Sequence, residues 1–208
     1  MLDTYKVLLW DFDGVIMDSN PVRTYGFEKV LKNYPPNQVG ELITYHKQNG
    51  GLPRYDKFRY FFAKIRGEQP DEKEIAALST RFSEIMLKKL FDRSLLIPDT
   101  VSFIKANYTK FKMHIVSGSD QTELRKICDH LGLSNYFISI TGSPTLKPEL
   151  TRQVLEAYNY NNKEVAFIGD SINDHDAAAK NGIDFCGYNN KELLSQSKLY
   201  IEKFSQYY

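Results

Sequence analysis

Two rhythms of apolar residues run along the chain. Short unbroken runs at 6–10, 112–116 and 164–168 end in Asp, Ser or Gly and read as buried strands, with weaker strand candidates at 137–140 and around 184–187. Elsewhere apolar residues recur at helical spacing. Helices are expected over 20–33, 38–47, from Pro53 through Ile65, and over 71–90, then over 99–108, 120–131, 149–158 and 172–180. Asn20-Pro21 supplies an N-cap and a first-turn proline, while Tyr34-Pro35-Pro36-Asn37, Asn49-Gly50-Gly51 and Gly67-Glu68-Gln69-Pro70 break the helices.

After the first strand, everything up to about residue 94 is helical, and strands then alternate with helices. That order implies right-handed crossovers and a parallel, Rossmann-like α/β sheet with helices on both faces, interrupted by an all-helical insertion. The expected division is a core of 1–14 and 95–208 and a helical unit of 15–94.

In such a sheet the carboxyl ends of all strands lie on one edge, where open α/β folds place their ligands. Polar clusters sit at those ends: Asp11-Phe12-Asp13-Gly14, Ser117-Gly118-Ser119 and Gly169-Asp170-Ser171-Ile172-Asn173-Asp174, with Thr145-Leu146-Lys147-Pro148 before a helix. Asp11 and Asp13, two apart in an extended chain, project the same way about 6 to 7 Å apart. Taken alone, Asp-x-Asp is equally a polar turn. Converged, the clusters offer carboxylates, hydroxyls and an ammonium, an all-oxygen donor set suited to Mg²⁺ and a phosphoryl group.

Composition narrows the function classes. The chain has 208 residues, 42% apolar and 13% aromatic, enough for a sizeable core. A net charge of +1 gives no global field toward nucleic acid or an anionic membrane, so neither is an expected partner. Cys128 and Cys186 lack metal spacing and read as reduced core thiols. With no signal-like or membrane-spanning stretch, the expected location is cytoplasmic, as a monomer or weak homodimer.

Asp11-Phe12-Asp13-Gly14-Val15, Ser117, Lys147-Pro148 and Gly169-Asp170-x-x-x-Asp174 resemble, in order, the four signature motifs of the haloacid dehalogenase superfamily. The helical insertion resembles its type-1 cap, and the whole is similar to the β-phosphoglucomutase-like and phosphatase branch. The resemblance implies that Asp11 is a nucleophile forming an aspartyl-phosphate and that Asp13 is the general acid/base. It gives Ser117, with Gly118, the phosphoryl oxygens, and makes Lys147 the cation that steadies nucleophile and phosphoryl charge. Mg²⁺ would be held by Asp11, Asp170 and the backbone carbonyl of Asp13, with Asp174 a ligand or a partner of one.

The implied activity is a Mg²⁺-dependent phosphatase acting on a small phosphorylated metabolite such as a sugar phosphate. A phosphomutase would use the same residues; a dehalogenase fits less well because Asp13 is present, and a non-catalytic binding protein because Asp11, Asp13, Ser117, Lys147 and Asp170 are all present. In the cap, Gly50-Gly51-Leu52-Pro53-Arg54 resembles the substrate loop of that branch, making Arg54 the candidate reader of an anion remote from the scissile bond. Phe58, Phe61 and Phe62 read as cap core, and Lys57 and Arg59 as facing water, with Lys57 within reach of the mouth.

Overall fold

Strand β1 (Val7–Trp10) is buried along its whole length, because it lies between two other strands and has helices over both faces. Its side chains alternate accordingly: Leu8 and Trp10 enter one core, Val7 and Leu9 the other. Trp10 packs against Phe103 and Phe204, with ring centroids 6.0 and 5.3 Å away. A computed structural model describes residues 2–207 of the chain.

The sheet also contains β2 (Lys112–Asp120), β3 (Ser139–Ser143), β4 (Val165–Gly169), β5 (Asp184–Tyr188) and β6 (Leu199–Ile201). All pairings are parallel, in the order β3-β2-β1-β4-β5-β6. The strands that carry the polar clusters, β2, β1 and β4, are therefore adjacent at its centre. The expected α/β sheet with an inserted helical cap is the observed architecture.

The cap comprises α1 (Asn20–Val30), α2 (Pro36–Gln48), α3 (Arg54–Tyr60) and α4 (Glu72–Lys89). α3 continues as a π-helical stretch, Phe61–Arg66, closed by Gly67 at φ 67°. Asp71 caps α4 by accepting from the Lys73 N–H at 2.9 Å. Phe27, Phe58 and Phe82 meet at centroid distances of 4.7 to 6.5 Å and form the centre of the cap core. The remaining helices are α5 (Pro98–Asn107), α6 (Gln121–His130), α7 (Lys147–Ala157) and α8 (Ile172–Lys180).

Besides small shifts elsewhere, such as α1 ending at Val30 and β3 running to Ser143, three elements differ from expectation. β2 runs on through Ser117-Gly118-Ser119 to Asp120, with its register against β3 shifting between Val116 and Asp120, so the polar residues are part of an irregular strand end rather than a loop. α7 begins at Lys147 because Pro148 is tolerated in a first turn. β6 escaped notice because three residues, Leu199-Tyr200-Ile201, are too few to show a period. Among the described residues no helix is long and apolar enough to cross a membrane.

Candidate active site

Asp11 leaves the end of β1 with its carboxylate buried, and its Oδ1 accepts the Phe12 N–H at 2.8 Å. Lys147, at the start of α7, places Nζ 2.9 Å from the same oxygen and hydrogen-bonds Asp174 Oδ1 with its other side. Asp174 in turn accepts the Ser171 N–H at 3.0 Å and the Ser171 hydroxyl at 2.7 Å through Oδ2, fixing the first turn of α8. Asp170 is held more loosely, with Asn20 donating to its Oδ2 at 3.2 Å.

Asp11, Asp170 and Asp174 each offer an oxygen within 4.8 Å of the others. Burial and the repulsion of Asp174 push Asp11 up to about 7 although Lys147 opposes them. Burial and the charges of Asp11 and Asp174 likewise raise Asp170. One ammonium thus faces a surplus of carboxylates, which is the chemistry of a hard divalent cation site. Gly14, at φ 78°, makes room for it: a Cβ there would lie 1.9 Å from Asp170 Oδ2.

Asp13 has a different environment. Its oxygens accept from the Ser19 hydroxyl, from Arg23 Nε at 2.9 Å and from the Ser119 hydroxyl at 2.5 Å. Burial pushes this carboxyl up, but the Arg23 charge and the three hydrogen bonds outweigh it and hold the group down at about 2. In this arrangement Asp13 is held as a carboxylate. Ser117 is buried beside it and its Oγ accepts the Ser119 N–H at 3.1 Å.

The cap closes on these residues through its Gly50-Gly51 loop. The Gly51 N–H donates to Asn173 Oδ1 at 3.2 Å, and a Cβ on Gly118 would lie 2.2 Å from the Gly51 carbonyl oxygen. Between cap and core lies a cavity of about 800 Å³ whose wall includes Asp11, Asp13, Gly118, Asp170, Arg54 and Lys57.

Arg54 reaches that wall with its charge already met. Its Nη2 lies 2.8 Å from Glu123 Oε2, its Nη1 donates to the Ser83 hydroxyl at 2.7 Å, and the guanidinium stacks 4.5 Å from the Phe82 centroid. Glu123, on α6 of the core, also pairs with Arg23. Lys57 corrects an expectation: it does not face water but is 2% exposed, since α3 turns it inward against His46. Arg59 does lie at the surface, paired with Glu72 at 2.8 Å.

Sequence reasoning passed over Arg23, Glu123 and His46, named Ser119 only within its polar cluster, and took Asn20 for the N-cap of α1, a position that Ser19 holds while Asn20 donates to Asp170. Arg23 carried one signal, a basic residue in the first turn of a helix, where the dipole disfavours it. Glu123 carried none, because a Glu in the first turn of α6 is ordinary surface chemistry.

A family model described as haloacid dehalogenase-like hydrolase matches residues 5–182. The chain belongs to that family. The hydrolase is 27% identical over 189 residues to a phosphoglycolate phosphatase of Aquifex aeolicus, covering 85% of this chain and 81% of the relative. It is 26% identical over 148 residues to the fructose-1-phosphate phosphatase YqaB of Escherichia coli, covering 71% and 74%. In fold it is similar to the β-phosphoglucomutase of Clostridium difficile, with a TM-score of 0.78 at 18% identity over 97% of this chain and 92% of that one. The hydrolase thus has the capped architecture of the phosphatase and phosphomutase branch.

Proposed function

We propose that this hydrolase is a Mg²⁺-dependent phosphatase that releases phosphate from a small phosphorylated metabolite through an aspartyl-phosphate on Asp11. The observation that carries the reading is the contact of Lys147 with Asp11 beside a carboxylate cluster it cannot neutralise alone.

A carboxylate attacks phosphorus only when the repulsion between two anions is offset. Lys147 does part of this for Asp11, and its own position is fixed by Asp174. Mg²⁺, held by Asp11, Asp170 and the backbone carbonyl of Asp13, would supply the remaining positive charge. Both oxygens of Asp174 are taken by Lys147 and Ser171, so its role is to position Lys147 and the 170–174 turn.

In the first step an Asp11 oxygen bonds to phosphorus in line as the ester oxygen leaves and takes a proton from Asp13. In the second, water bonds to phosphorus, Asp13 takes its proton, and Asp11 is released with phosphate. Arg23, Ser19 and Ser119 favour the carboxylate form of Asp13 that the second step needs. The proton required in the first is favoured by the phosphoryl anion that binds beside it. Ser117 and the N–H groups around Gly118 are the donors for the phosphoryl oxygens.

Steady release of phosphate from p-nitrophenyl phosphate and from a panel of phosphorylated metabolites, abolished by chelation, tests the proposal. Stoichiometric isomerisation of a sugar phosphate without phosphate release would replace it with a phosphomutase reading.

A further inference from the structure

Of the four buried cations around the cavity, three are ion-paired and one is not. Arg23 is taken by Asp13 and Glu123, Arg54 by Glu123, and Lys147 by Asp11 and Asp174. Lys57 is as buried as these, yet among the described residues no carboxylate lies within ion-pair distance of its Nζ. Its direct partners are neutral: Nζ lies 3.0 Å from His46 Nδ1 and donates to the Gly50 carbonyl at 3.0 Å, with the Phe27 ring centroid 5.8 Å away. An ammonium has three N–H donors, and two are accounted for.

His46 cannot supply the missing charge. Burial and the neighbouring Lys57 push its imidazole down to about 3, so it accepts from the ammonium and orients it without adding or removing charge. Burying an ammonium without a counter-ion is costly, and here the cost falls on the wall of a ligand cavity, on the helix that follows the Gly50-Gly51 loop.

We propose that Lys57, aimed by His46 and the Gly50 carbonyl, reads a second anionic group on the substrate, which is therefore a small phosphomonoester bearing a carboxylate or a second phosphate rather than a neutral sugar phosphate. The inference rests on the phosphatase reading only for the placement of the first anion. It moves the anion-reading role from Arg54, whose charge Glu123 already meets, to Lys57. Burial, with Arg23, Lys147 and Arg54 adding to it against Asp13, holds Lys57 down at about 7, so an anion beside it also restores its proton.

The test uses two matched pairs with Mg²⁺ present: phosphoglycolate against its uncharged amide, and 1,3-propanediol bisphosphate against the monophosphate. For at least one pair the wild-type kcat/KM should favour the member with the second anion by about 10- to 100-fold, the worth of one charge-assisted hydrogen bond. Lys57→Met should bring that ratio close to one, and Lys57→Arg should retain most of it. The pair that responds says whether the second anion is a carboxylate or a phosphate. Wild-type ratios near one for both pairs, a ratio that survives in Lys57→Met, or a ratio lost in Arg54→Met and kept in Lys57→Met would each overturn the proposal. If neither p-nitrophenyl phosphate nor any phosphomonoester of the panel, these pairs included, releases phosphate, the phosphatase reading fails by itself. The same ratios, read as Kd by calorimetry, then still decide the role of Lys57, with proton uptake on binding as a second sign of it.

Discussion

Arg54 and Glu123 pair at 2.8 Å across the boundary between cap and core, and the same carboxylate also takes Arg23, which grips Asp13. A single buried side chain on α6 thus connects the start of α3 in the cap to the proposed general acid/base. Replacing it with Gln leaves Arg54 without a counter-charge and Arg23 with Asp13 alone. Glu123→Gln is expected to cost about 3 to 5 kcal/mol in urea unfolding, the penalty of breaking a buried pair. A loss under 1 kcal/mol would show that the cluster is solvated.

Lys57 makes stability depend on pH in a defined direction. Its amine is held at about 7 against 10.5 in the unfolded chain, so between these values the unfolded state binds more protons and stability rises with pH. The cost of burying the charge is complete below pH 7 and gone above about 10.5. Lys57→Met should accordingly be more stable than the wild type by a few kcal/mol at pH 6.5, with the advantage shrinking toward pH 10. Denaturation curves at both pH values check the sign.

The close approach of Gly118 to the Gly51 carbonyl ties closure of the cap to a glycine in the core. A methyl group at Gly118 meets backbone, which cannot rotate away. Gly118→Ala should displace the loop and lower kcat/KM by more than about tenfold, since small misplacements at a site are expensive. Protease cleavage at the Gly50-Gly51 loop should rise in parallel. Unchanged kinetics would mean that the loop does not need this seat.

Crowded carboxylates predict opposite effects on stability and activity. Asp170→Asn removes one of three neighbouring negative charges, so without metal it should raise the melting temperature by a few degrees. Mg²⁺ should stabilise the wild type by relieving the same repulsion, and this gain should be lost in the variant along with phosphatase activity. Differential scanning fluorimetry with and without Mg²⁺ reads both effects.

The fold was legible because its signals are periodic. Strands such as Val7–Trp10 and Val165–Gly169 are uniformly apolar since helices cover both faces, and the helices of the cap carry apolar residues at helical spacing. The polar ends of β1, β2 and β4 could be brought together on paper because parallel topology leaves one edge for them all. What stayed hidden is the pairing across elements. Nothing in the sequence tells that Glu123 meets Arg23 and Arg54 at separations of 100 and 69 positions, or that α3 turns Lys57 inward and Arg59 outward. A lysine on a short helix reads as solvated until the position of the neighbouring helix is known.

The central claim is that Asp11 becomes covalently phosphorylated. The most direct measurement is an acid quench of the hydrolase during turnover with Mg²⁺ and p-nitrophenyl phosphate, followed by peptide mass spectrometry. The account predicts a hydroxylamine-sensitive phosphoryl group on the peptide containing Asp11, absent in Asp11→Asn, whose turnover should fall by about 10⁴-fold or more. A phosphoryl group on any other residue, or undiminished turnover by Asp11→Asn, would contradict it.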